Sequence, residues 1–120
     1  MTEFELSNSS KILRYIIKNS LFTERQIVII LNQKNLMESK FSISKGAYYR
    51  QTGQCKSKLM SFYFTIVLLR SLGIVLPDDF DVMSRLSEQV SVIRSSDVFP
   101  EREDEVISVI ERVIHQACNV

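Results

Sequence analysis

Residues 44–73 read SKGAYYRQTGQCKSKLMSFYFTIVLLRSLG, a proline-free stretch between a serine able to cap a helix and a glycine able to end one. At 100° per residue Tyr48, Cys55, Leu59, Phe62, Ile66 and Leu69 fall within an arc of about 80°, which marks a buried side. The spacing predicts one long helix, starting near Ser42 or Ser44 and running to Leu72, with Gly73 as its stop. Its two halves differ in chemistry. From Leu59 to Leu72 it is apolar nearly all round, the composition of a helix central to the core or of part of a dimer interface. From Lys45 to Lys58 it is polar and basic. Lys45, Tyr49, Thr52 and Lys56, spaced four, three and four apart, form one exposed stripe, and Arg50, Gln54 and Ser57 form another across Gly53.

Working outward, the apolar spacing stays at three and four, and three glycines with two prolines in 120 residues leave little punctuation for a multi-stranded sheet. The chain reads as all-α, with about five helices in a single domain. A first helix, from about Ser9 to Asn19, places Ile12, Leu13, Ile16 and Ile17 on one side. A second, from about Glu24 to Asn32, opens with Thr23 and Gln26 in the relation of a capping box, and Phe22 and Ile27 fit its hydrophobic staple. Ile27, Ile30 and Leu31 form its expected buried stripe. Gln33 to Ser42 is a loop, or a loop holding one short turn of helix. After Pro77, Asp78 or Asp79 caps a fourth helix whose Phe80, Met83, Leu86, Val90 and Ile93 make one seam. Ser95 to Pro100 connects to a last helix, about Glu101 to Ala117, with a stripe of Val106, Val109 or Ile110, Val113, Ile114 and Ala117. Its first turn holds Glu101, Glu103, Asp104 and Glu105, the charge favoured at a helix N-terminus.

Charge separates along this order. The formal net charge of +1 divides into two opposed parts. Residues 1–76 carry eleven Lys or Arg against four acids, a net of +7, and residues 77–120 carry four against ten, a net of −6. No acid lies between Glu38 and Asp78, where Lys40, Lys45, Arg50, Lys56, Lys58 and Arg70 fall. A basic part so concentrated points to an anionic partner, and the acidic part to a dimer contact or a second protein.

Several function classes find no support. Leu59 to Leu69 is the longest near-apolar run, too short and too interrupted to span a membrane, and Met1 to Ser10 lacks the layout of a signal peptide. The expected compartment is the cytoplasm, and Cys55 and Cys118 are expected as reduced thiols. His115, the one histidine, has no metal-ligand spacing around it, and no glycine-rich phosphate-binding phrase is present. No enzyme, cofactor or metal site is indicated.

Phe22-Thr23-Glu24-Arg25-Gln26-Ile27-Val28-Ile29-Ile30-Leu31 resembles the opening helix of sigma factor region 4 and of response-regulator DNA-binding domains. Ile43-Ser44-Lys45-Gly46-Ala47-Tyr48-Tyr49-Arg50-Gln51, followed by Cys55-Lys56-Ser57-Lys58-Leu59, looks like the recognition helix of that class and of small archaeal helix-turn-helix regulators. The resemblance covers about 38 residues. It implies a helix-turn-helix transcriptional regulator with a scaffold helix before the recognition helix, for which only Gln33 to Ser42 is available and Asn35 to Lys40 is best placed.

The residues point the same way on physical grounds. A helix about 10 Å wide fits the major groove, and Lys45, Tyr49, Thr52 and Lys56 span about 16 Å along it. Lys40 and Lys58 are expected on phosphates at either end, with Arg50, Gln51 or Gln54 toward base edges. About four neutralised phosphates give a log–log salt slope near −3.6 per subunit. The expected partners are double-stranded DNA and a second copy of the chain. The alternative is a non-enzymatic helical adaptor whose basic face meets an acidic protein, and RNA is a third possibility.

Overall fold

The computed structural model describes residues 11–37, 43–94 and 100–120 and is all-α. Its helices are α1 (Lys11–Lys18), α2 (Glu24–Gln33), α3 (Lys45–Ser71), α4 (Pro77–Arg94) and α5 (Pro100–Ala117). The expected start of α1 at Ser9 lies outside the described residues. Short as it is, α1 is the hub on which α2, α4 and α5 pack. Ile12 and Ile17 are buried on it, and Ile17 meets Val28 of α2 in a cluster edged by Leu13, Ile27, Leu31 and Met37. Each fully buried aliphatic side chain contributes about 1.5–3 kcal/mol of transfer free energy.

Local chemistry sets the helix ends. At α2 the Thr23 hydroxyl oxygen accepts from the Gln26 amide (3.2 Å) and Gln26 Oε1 accepts from the Thr23 amide (3.1 Å), closing the capping box. Its buried residues are Gln26, Val28 and Ile29, whereas the expected stripe of Ile27, Ile30 and Leu31 is half-buried. Five consecutive apolar residues, Ile27 to Leu31, let periodicity choose no face.

α2 ends at a left-handed Asn35 (φ 58°), whose amide donates to Asn32 O (3.1 Å) while that of Leu36 donates to Leu31 O (2.9 Å). α3 ends in the same way. Gly73 (φ 74°) donates to Arg70 O (3.1 Å) and Ile74 to Leu69 O (2.9 Å). Both are Schellman motifs, which supply donors to carbonyls that the helix leaves unpaired.

α4 corrects one detail of its expected cap. Pro77 takes the first helical position, and Asp79 serves from inside the helix, its Oδ2 accepting from the Leu76 amide at 2.7 Å. Phe80, Met83, Leu86, Val90 and Ile93 are the half-buried seam, as their spacing predicts. On α5 the choice between Val109 and Ile110 falls to Ile110, which is buried.

The acidic first turn of α5 grips α1. Glu103 Oε2 accepts from the Lys11 backbone amide (3.1 Å), and the Lys11 ammonium donates to Asp104 Oδ1 (2.8 Å), which holds its pKa above the ordinary lysine value. Tyr15 leans the same way, its pKa raised first by desolvation and then by the charge and hydrogen bond of Glu111.

The second half of α3 is not the centre of this core. α2 packs on α3, yet Cys55 is the only fully buried residue described on the helix. Phe62, expected on the inner side, is 44% exposed, and Leu59, Ile66 and Leu69 are half-buried. A helix of 27 residues is about 40 Å long, and α2, with ten, lies along little more than a third of that.

Candidate nucleic-acid interface

Ser44 starts α3. It is extended (φ −66°, ψ 161°), and its hydroxyl oxygen accepts from the Ala47 amide at 3.1 Å, so the helix begins at Lys45. Three attachments then fix which side of the first half faces inward. The Tyr48 phenol oxygen accepts from Asn32 Nδ2 (2.8 Å) and Gln33 Nε2 (2.9 Å) at the end of α2. The buried Cys55 thiol donates to Gln26 O at 3.6 Å, and burial pushes its pKa up. The Lys58 ammonium donates to Leu21 O (2.7 Å) and Gln26 Oε1 (2.8 Å), and it sits 5.7 Å from the centre of the Phe22 ring.

With that side anchored, the opposite side faces water. Lys45, Tyr49, Arg50, Gln54 and Lys56 are all exposed, Tyr49 at 82%. Arg50 and Gln54 therefore join the Lys45–Tyr49–Lys56 stripe on one broad face, which resolves their direction; Gln51 is half-buried and lies off it. Thr52 sits at its edge, half-buried, with its hydroxyl donating to Tyr48 O at 3.0 Å. Lys40 lies outside the described residues. Lys58 belongs to the inner side, where its charge is held by two oxygens and an aromatic ring, so the expectation of a phosphate contact there is replaced by a structural role.

Gly46 and Gly53 lie on the exposed face. A Cβ on Gly53 would meet nothing within 4 Å, and one on Gly46 would come no closer than 4.0 Å to Arg50 Nη1 and Ser44 Oγ. The fold needs neither glycine, although each costs the helix about 1 kcal/mol relative to alanine. Beside Gly53 the face falls into an open hollow of about 670 Å³, bordered by Gln26, Arg50, Gln54, Ser57 and Lys58.

The approach to α3 departs from the expected scaffold helix. Asn35 to Met37 are non-helical, because Asn35 is the left-handed residue that stops α2; the rest of the Asn35–Lys40 candidate lies outside the described residues. In sequence, residues 34–44 lie between α2 and α3. Sequence reasoning placed Gln26 in the capping box of α2 but missed its second role, in which its side chain receives Lys58 and its carbonyl receives Cys55. Its place at the third helical position was legible, but its partners on α3 were not.

No known protein family, characterised protein or solved structure matches this chain.

Among the described residues no three His, Cys, Asp or Glu side chains gather as a metal site. His115 is exposed in the last turn of α5. No described helix is long and apolar enough to cross a membrane.

Proposed function

We propose that the protein binds duplex DNA through the first half of α3 and acts as a homodimeric transcriptional regulator. The observation that carries this reading is the division of that half. Tyr48, Cys55 and Lys58 are tied to α2 and the turn before it, and this turns Lys45, Tyr49, Arg50, Gln54 and Lys56 outward together. Lys45, Lys56 and Tyr49 supply phosphate contacts that position the protein. Arg50 and Gln54 have the donors to read base edges in the major groove. The two glycines keep the face low where a sugar-phosphate chain has to come close.

The acid-free interval from Glu38 to Asp78 supports the reading, because nothing in it opposes the phosphates. Two acids of α5, Glu103 and Asp104, are directed instead to Lys11 of α1. With Lys58 held internally, three of the four cations expected on phosphates remain, Lys40, Lys45 and Lys56, and the expected salt slope becomes about −2.7 per chain. A gel-shift assay with random duplex tests the reading. It predicts a shifted band at micromolar protein in about 50 mM salt, fading as salt is raised, and no shift under those conditions contradicts it.

A further inference from the structure

The second half of α3 presents more apolar surface than its own chain covers. Met60, Tyr63, Phe64, Val67 and Leu68 are each more than half exposed, Phe64 at 71%, and so are Leu72, Ile74 and Leu76 just beyond the helix. Met60, Phe64, Val67 and Ser71 follow one another at four, three and four, a single seam of the helix with Tyr63 and Leu68 on its flanks. Taking about 200 Å² for a fully exposed large side chain, the eight together offer about 970 Å². A standard interface buries about 800 Å² per partner, whereas apolar patches on monomers reach a few hundred.

We infer that this face is covered by a second copy of the chain, in a two-fold interface of α3 against α3 centred near Phe64. The inference specifies the dimer of the proposed regulator and rests on that reading for its purpose, yet it is tested without DNA, so either can fail alone. Charge chooses the occupant. No charged residue lies between Lys58 and Arg70, so the seam has no pattern with which to select a partner of opposite sign and no repulsion against its own copy. Charge also sets the direction. Parallel pairing would put the two Lys45–Lys56 stretches side by side, and antiparallel pairing carries them to opposite ends.

Sedimentation equilibrium of the full chain at tens of micromolar is expected to give twice the 13.9 kDa chain mass. Phe64→Glu with Val67→Glu is expected to give the single-chain mass with unchanged helical circular dichroism, because both side chains face solvent within one chain. A second measurement covers the case in which that variant fails to fold. In a Cys118→Ser background, Phe64→Cys treated with a short bismaleimide is expected to yield a covalent dimer, and Tyr49→Cys is not. A single-chain mass for the unaltered protein, a dimer that survives the double substitution, or no cross-link through position 64 overturns the inference.

Discussion

Lys56 and Lys58 stand two positions apart on α3 and are put to opposite uses. Lys58 donates to Leu21 O and Gln26 Oε1 from a half-buried position, so Lys58→Ala is expected to cost about 1–2 kcal/mol in urea unfolding, since it removes two hydrogen bonds from a charged donor. Lys56 is exposed. Lys56→Ala is expected to change stability by less than about 0.5 kcal/mol while reducing the salt slope of duplex binding by about 0.9. Gly53 gives a sharper contrast, because its side-chain space is open in the protein. Gly53→Ala is expected to raise stability by about 1 kcal/mol and to weaken DNA binding, read as melting temperature against dissociation constant. The thiols separate by the same logic of burial. Cys118 is expected to react promptly with a disulfide reagent, and Cys55 only on unfolding, because its thiol is buried, bonded to Gln26 O and raised in pKa.

Helix ends are where this chain is most specific. Gly73→Ala is expected to lower stability by about 1–2 kcal/mol, since φ 74° forces a Cβ against the neighbouring carbonyl, and thermal unfolding checks it. Those ends were also the most legible part of the sequence. Thr23 with Gln26, Ser44 and Gly73 announce themselves by residue type at fixed offsets, and the Phe80–Ile93 seam by its period alone. Less legible was anything that depends on what lies opposite. The run Ile27–Leu31 is apolar on every side, so only the position of α1 and α3 selects Val28 and Ile29 for burial. Asn35 carries no mark of its left-handed conformation beyond its being asparagine. By residue type Lys58 is no different from Lys56, and only Gln26 and Leu21 beneath it set it apart. The apolarity of Leu59 to Leu72 predicts that something covers the helix, but not which chain supplies it.

At the scale of the whole molecule, the +7 and −6 parts join opposite charges where Lys11 of α1 meets Glu103 and Asp104 of α5. Lys45 and Lys56, assigned to phosphates, and Arg50, assigned to base edges, are all exposed, so the near-zero net charge conceals a molecule with a directed basic face. A helical adaptor for an acidic protein would use the same face, and charge reversal tells the two apart. The decisive measurement is fluorescence anisotropy of a labelled duplex across a salt series, with the unaltered protein and with Lys45→Glu plus Lys56→Glu. The DNA reading predicts binding by the unaltered chain with a slope of about −2.7 per chain. It predicts none by the variant, whose helicity and oligomeric mass stay unchanged. Equal binding by the two proteins, or loss of binding only together with loss of self-association, would contradict it.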